Sequence, residues 1–153
     1  MGYYHLFNIR CITTKGVQIK ILVPYLTFAG NCREAFEFYK VCLNGEITAI
    51  QTFAEAKMEV DDSFKNRILH AEFRAEDVFF MASDGNSGFV VNPGNNISLT
   101  LDLTDGKEQE RIFKALAEGG AVTMPLQKTY WGATYGMLTD RYGIQWMLNC
   151  SKP

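Results

Sequence analysis

The segment "ILHAEFRAEDVFFMASD", residues 68–84, has the pattern of two β-strands joined by a tight turn. The first strand alternates, with an apolar face on one side and a row of His70, Glu72 and Arg74 on the other. A turn at Ala75–Glu76 would pair His70 with Met81 across the hairpin. This polar row faces either water or a pocket, and the hairpin alone does not distinguish between the two.

The hairpin belongs to the first of two internal repeats. A shift of 75 residues carries "LVPYLTF" (22–28) onto "ISLTLDL" (97–103), and a shift of 66 carries "DVFFMAS" (77–83) onto "GIQWMLN" (143–149). Each copy has the pattern β-α-β-β-β, which predicts two tandem modules. The predicted strands cover about 21–28, 46–53, 68–74 and 78–83, then 96–103, 121–128, 133–139 and 144–150; the predicted helices cover about 31–43 and 106–118. Asn31 has the position of a helix N-cap.

Composition limits the class of protein. The 153 residues are 47% hydrophobic and 21% charged, which is ordinary for a globular chain. A net charge of −2 without a Lys/Arg cluster argues against nucleic acid as the main partner. No apolar run approaches the ~18 residues of a membrane span. Four scattered cysteines and no recognisable signal peptide predict reduced thiols and a cytoplasmic location.

The domain organisation is inferred from the repeat. Residues 1–16 fit poorly with the repeat pattern and are interpreted as an N-terminal extension. Residues 17–153 are interpreted as a single domain, with module one over about 19–84, a linker over 85–95 and module two over about 96–150.

The polar faces of the predicted sheets mix apolar and polar side chains. Such faces in antiparallel sheets usually meet water, so a solvated ladder is one interpretation. Apolar walls with a few polar groups are, however, typical of small-molecule pockets. Leu138 is placed on this face and Trp146 on the helix-covered face. The candidate ligand-binding residues are Tyr25, Thr27, Phe79, Met81, Ser83, Ser98, Thr100, Trp131, Gln145 and Met147.

Three stretches carry a resemblance to a known family: "VPYLTFAGNCREAFEFYK" (23–40), "NNISLTLDL" (95–103) and "GGAVTMPLQKTYWGATYGMLTDRYGIQWMLNC" (119–150). With the elements between them they resemble the PhnB-like branch of the vicinal-oxygen-chelate superfamily, over residues 19 to 150. The resemblance implies an α+β fold in which two βαβββ modules form a half-barrel around a cavity, the glyoxalase/bleomycin-resistance fold. It also implies contacts between the two chains of a homodimer.

Metalloenzymes of that superfamily bind a divalent ion through His, Gln or Glu. Mapped onto this chain, the ligand positions are Val23 (or Pro24), Met81, Ser98 and Met147. Hard and borderline divalent metals need carboxylate, imidazole or water ligands, and two thioethers would favour at most Cu(I). The expectation is therefore a cavity with no metal and no cofactor.

Three functions remain open. The first is a metal-independent protein that binds a small molecule. The second is a divergent lyase, isomerase or dioxygenase that uses either His70 and Glu72 as catalytic residues, since an imidazole suits acid–base work, or an atypical metal site. The third is a dimeric structural or regulatory module. Relatives are often labelled demethylubiquinone methyltransferases, but no glycine-rich loop opening a helix and no parallel βαβ order support methyl transfer here.

Overall fold

The computed structural model describes residues 19–151, so the interpretation of residues 1–16 as an extension lies outside the described residues. Both modules have the order β-α-β-β-β expected from the repeat. The first contains β1 (Tyr25–Thr27), α1 (Cys32–Cys42), β2 (Glu46–Thr52), β3 (Ile68–Ala75) and β4 (Val78–Ser83). The second contains β5 (Leu99–Leu103), α2 (Gly106–Ala117), β6 (Ala121–Lys128), β7 (Ala133–Thr139) and β8 (Gln145–Ser151).

Each module forms one four-stranded sheet, in the orders β1-β4-β3-β2 and β5-β8-β7-β6. The sheets are mixed rather than antiparallel, because β1 lies parallel to β4 and β5 lies parallel to β8. The helix between the first two strands carries the chain away from β1, so that β1 pairs with the last strand of its own module. The identical topology of the two sheets confirms the duplication.

The modules share one hydrophobic core, which lies on the helix-covered faces of both sheets. Tyr39 of α1 packs against Phe80 of the first sheet and Trp146 of the second, at ring-centroid distances of 5.7 Å in both cases. Phe80 and Trp146 also contact each other directly. The placement of Trp146 in the core is confirmed, since its side chain is 1% exposed.

The β3–β4 hairpin has a different register from the one predicted. Ala75 pairs with Val78, and Glu72, not His70, pairs with Met81. The turn is therefore Glu76–Asp77, with Glu76 at a φ of +48°. Because the register moves by two residues, every side chain stays on the face assigned from the sequence.

Two strands are shorter at their starts than predicted. β1 begins at Tyr25 because the preceding Pro24 has no N–H to donate; its carbonyl still accepts a hydrogen bond from the Met81 N–H. β5 begins at Leu99 instead of Asn96.

The first helix is not capped by Asn31, whose side chain makes no cap hydrogen bond. Asp84, which follows β4, accepts instead from the backbone N–H groups of Gly30 and Cys32 and, with its other oxygen, from that of Ile68. A buried carboxylate at the end of the neighbouring strand β4 thus satisfies the start of α1. Asp105 caps α2 directly, because its side chain accepts from the N–H groups of Lys107 and Glu108.

Leu138 lies on the helix-covered face, contrary to the prediction. The β7–β8 loop is five residues long, so Thr139 pairs with Gln145 and Leu138 pairs with the buried Trp146. Met137, which pairs with Met147, takes the position on the polar face.

We expect the cysteines within the described residues to resist thiol reagents in the native state. Cys32, Cys42 and Cys150 are free and buried. Burial raises the pKa of Cys32 to about 12, with a further contribution from Asp84, and that of Cys42 to about 11. Since the thiolate is the reactive form, only a minute fraction of Cys32 and Cys42 is ionised and reactive at pH 8, and burial shields Cys150 from the reagent. Ellman's reagent should therefore label a Cys11→Ser variant after unfolding in guanidinium and not before. Rapid native labelling would contradict this packing.

No helix among residues 19–151 combines the length and the hydropathy needed to cross a membrane.

Candidate functional site

A groove of about 450 Å³ lies where the first strand of one module faces the first strand of the other. We call it the seam groove. Its walls come from β1, the start of β5, the linker between the modules and the β7–β8 loop. The lining residues are Tyr25, Leu26, Thr27, Phe89, Val91, Asn92, Pro93, Gly94, Asn96, Ile97, Leu99, Tyr142, Gly143, Ile144 and Gln145. Its volume is in the range of roughly 300–1,000 Å³ that small-molecule sites occupy.

The seam groove exposes large apolar side chains that have little cover. Tyr25 is 51% exposed, Phe89 61% and Ile97 75%. Clustered exposed apolar groups, rimmed by polar ones, are typical of binding sites rather than of inert surface. In the described chain, none of the residues that line this groove carries a formal charge.

Gln145 ties the linker wall of the groove to β8. Its Nε2 donates to the carbonyl oxygens of Gly94, at 2.9 Å, and Ile97, at 3.1 Å. In the β7–β8 loop, Tyr142 packs edge-on against Phe28 and Phe38. Burial raises the pKa of the Tyr142 phenol, against the opposing effect of Arg141, so the ring stays neutral.

Tyr25 connects the seam groove to the polar row that was singled out in the sequence. Its Oη lies 3.4 Å from His70 Nδ1, and the two rings stack with centroids 6.1 Å apart. His70 Nε2 in turn lies 3.4 Å from Glu72 Oε1. Both His70 and Glu72 are about one-third exposed. The distances are long for strong hydrogen bonds, and they leave the imidazole accessible from solvent.

Strand pairing shows which residues lie beside His70 and Glu72 in the first sheet. Met81 pairs with Glu72 on one side and with Tyr25 on the other, so it lies in the middle of the face. Gln51 of β2 pairs with His70. The first sheet therefore brings together His70, Glu72, Tyr25 and Met81 as the sequence predicted, and adds Gln51.

The second sheet has its own polar face. Thr100 pairs with Met147, and its Oγ1 lies 3.8 Å from the Met147 sulfur. Trp131 lies at the β6–β7 turn and contacts Tyr135 edge to face, with centroids 6.1 Å apart. In the residues that the structure describes, no hydrogen bond, ion pair or ring contact joins this face to the His70 face of the first sheet.

The side chains of Phe79, Ser83 and Ser98 are not among those that line the seam groove. The guanidinium of Arg74 covers the Phe79 ring at 4.4 Å. Ser83 is buried, and its Oγ accepts from the Gly85 N–H in the turn after β4. Ser98 precedes β5 and is half-buried. Thr27 and Gln145, by contrast, line the seam groove together with Tyr25.

Sequence reasoning missed the linker as a wall of the seam groove. Phe89, Val91 and Pro93 lie in the predicted linker, because turn-forming residues surround them in the sequence. Tyr142 was missed because a loop between two strands has no periodicity to assign a direction, and Ile144 because the last strand is predicted to begin with it. A signal was present: aliphatic and aromatic side chains inside a Gly- and Asn-rich segment need a surface to cover.

The superfamily's metal positions do not fit a divalent ion in this chain. They offer no carboxylate or imidazole, since they hold Val23 (or Pro24), Met81, Ser98 and Met147. Across residues 19–151, no three His, Cys, Asp or Glu side chains cluster in a way that could hold a metal.

Comparison with known sequences relates this fold to a family. The family described as 3-demethylubiquinone-9 3-methyltransferase matches residues 20–149. Protein YjdN of Escherichia coli K12 is 34% identical over 142 residues, which cover 86% of this chain and 95% of that protein.

Solved structures agree with the sequence relatives. Protein PA1353 from Pseudomonas aeruginosa is 42% identical with a TM-score of 0.79, over 90% of this chain and all of that one. A putative 3-demethylubiquinone-9 3-methyltransferase, the PhnB protein from Bacillus cereus, is 28% identical with a TM-score of 0.69, over 85% and 98%. The fosfomycin resistance protein FosX from Listeria monocytogenes shares the fold at 11% identity, with a TM-score of 0.60 over 88% and 95%. The expected glyoxalase/bleomycin-resistance fold is confirmed.

Proposed function

The chain belongs to the 3-demethylubiquinone-9 3-methyltransferase family, its PhnB-like members, and we propose that it binds a small molecule in the seam groove without a metal ion. The observation that carries the proposal is the groove itself, a hollow of about 450 Å³ with exposed apolar walls and a few fixed polar groups. Its three predicted ligand residues, Tyr25, Thr27 and Gln145, come from both modules. The proposal includes a cytoplasmic location.

We do not extend the methyl transfer in the family's description to this chain. In the described residues, β1 is followed by α1 and β2, but β1 and β2 are not neighbours in the sheet. These elements therefore do not form the unit of adjacent parallel strands and glycine-rich turn that supports cofactor binding in doubly wound sheets.

A fragment screen followed by NMR tests the proposal. Hits should shift the amide signals of the linker and of the β7–β8 loop, and Tyr25→Ala should weaken their binding by about tenfold because a stacking ring is lost. Tyr130→Ala is the matched control, since Tyr130 is 97% exposed at the β6–β7 turn and should change nothing. Shifts confined to Met147 and Thr100, or a large thermal stabilisation by Zn²⁺, Mn²⁺ or Ni²⁺ alone, would count against it.

A second candidate function is catalysis by His70 and Glu72. The contacts from Tyr25 to His70 and from His70 to Glu72 favour it, because they link a wall of the groove to an imidazole and a carboxylate. A general base contributes typically 10²–10⁴-fold to the rate. Once a substrate that the protein converts is known, His70→Ala should reduce kcat by about 10²-fold or more, whereas Gln51→Ala should not. Unchanged turnover in His70→Ala would remove this candidate.

We also propose that the protein is a homodimer, as the resemblance implied. Exposed apolar side chains that do not line the groove, such as Val41 and Val90, which are 75% and 72% exposed, support a surface that is covered in solution. Light scattering should give twice the mass of one chain, and the mass of a single chain would contradict this part of the proposal.

A further inference from the structure

The seam groove combines three properties that together define a class of ligand. The first is its lack of charge among the described residues. Its polar groups are the amides of Asn92, Asn96 and Gln145, the Thr27 hydroxyl and two phenols. An ionised ligand would lose hydration here without meeting an opposite charge, which disfavours its binding.

The second property is aromatic. Tyr25, Phe89 and Tyr142 contribute rings from three different segments, namely β1, the linker and the β7–β8 loop. Rings that line a groove favour planar ligands, because offset stacking and edge contacts add to the area that is buried. The groove is therefore suited to a flat, neutral molecule.

The third property is the fixed orientation of the Gln145 amide. Both groups that receive its Nε2 hydrogens, the carbonyls of Gly94 and Ile97, can only accept. The side-chain amide therefore cannot rotate by 180° without losing both bonds. Its Oε1 receives no hydrogen bond from the residues that the structure describes, and it is left as an acceptor with a set direction.

We infer that the seam groove takes an uncharged aromatic molecule with an N–H or O–H donor, and that Gln145 Oε1 accepts from this donor. The inference rests on the proposed function and adds to it the class of ligand and the residue that selects it. Gln145 thereby has two roles, since its nitrogen holds the linker and its oxygen recognises the ligand.

A matched series of probes tests the inference: indole, 1-methylindole, indole-3-carboxylate and tryptamine. Indole is neutral and has one N–H, which methylation removes at almost constant shape. The other two probes add a negative and a positive charge. In titrations followed by NMR, indole should shift the amides of Gly94 and Gly143. 1-Methylindole should bind about fivefold more weakly, the net value of one hydrogen bond, and both charged probes at least about tenfold more weakly.

The Gln145→Met variant separates recognition from scaffolding. Methionine fills a similar volume but has no amide, so the variant loses both the linker bonds and the acceptor. If Gln145 Oε1 recognises the donor, indole and 1-methylindole should bind this variant equally well. A purely structural Gln145 would weaken both probes alike and leave the fivefold ratio intact, which would overturn the inference.

The outcomes distinguish this inference from the proposed function. If fragments bind in the groove but the charged probes bind as tightly as indole, or methylation has no effect in the wild type, the ligand class is wrong and groove binding stands. If no probe and no screening hit shifts the groove signals, both are wrong.

Discussion

Replacing Asp140 with asparagine is expected to lower the free energy of unfolding by about 3–5 kcal/mol, because it breaks a buried charge-assisted network. Asp140 is 3% exposed. Its Oδ1 accepts from the N–H groups of Tyr142 and Ile144, and its Oδ2 accepts from Tyr39 Oη and Trp146 Nε1, both at 2.8 Å. One carboxylate thus joins the helix of module one to the last hairpin of module two.

The cost arises because an asparagine side chain at this position would present an NH₂ group to two donors. The indole N–H of Trp146 cannot accept, so it would be left buried and unpaired. In the wild type, burial and the nearby Asp140 carboxylate hold the pKa of the Tyr39 phenol far above its ordinary value, so Tyr39 donates to Asp140. Urea unfolding measures the effect. Tyr39→Phe should cost less, about 2 kcal/mol, because three donors to Asp140 remain.

Asp61→Asn is the control for this prediction, since Asp61 is exposed and should change stability by no more than about 0.5 kcal/mol. If Asp140→Asn proved as mild as Asp61→Asn, the four hydrogen bonds would not be holding the modules together.

Gly120→Ala is expected to destabilise the protein by about 3 kcal/mol or more, through overpacking against backbone. A Cβ at Gly120 would overlap the carbonyl oxygen of Thr139, which belongs to a paired strand and cannot move aside. Gly45, its counterpart in the first repeat, is confined in the same way, because a Cβ there would lie 2.6 Å from the Arg74 carbonyl oxygen.

Gly106→Ala provides the matched control for the glycine prediction. It lies in the first turn of α2, where a Cβ meets nothing within 4 Å, so alanine should be neutral or slightly stabilising. Thermal unfolding of the three alanine variants, at positions 45, 106 and 120, compares them directly. A Gly120→Ala protein as stable as Gly106→Ala would mean that the duplicated glycines are not steric requirements.

The two glycines also help to explain why the repeat, and with it the fold, could be predicted from the sequence. Gly45 and Gly120 recur at the repeat spacing because, in both modules, the backbone after the helix passes too close to a neighbouring strand for a Cβ to fit. Alternation in β3 and in β5 assigned side chains to faces correctly, since a strand has a period of two. These signals are local, so they can be recognised without knowing what packs against what.

Three other features could not be predicted from the sequence. The hairpin turn at Glu76–Asp77 uses a non-glycine residue with positive φ, so no glycine or asparagine marked its position. Asp84 caps a helix that begins 52 residues before it, and only the folded module brings the two together. The linker wall of the seam groove could not be predicted for the same reason, because only the folded chain brings its apolar side chains together with β1 and the β7–β8 loop.

A crystal structure of the protein soaked with its tightest-binding fragment tests metal-free binding in the seam groove most directly. We expect density for the fragment between Tyr25 and Gln145, against the linker residues of the groove, with no metal ion bridging it to the protein. Density against Met147 and Thr100 instead, with the seam groove empty, would contradict the proposed site.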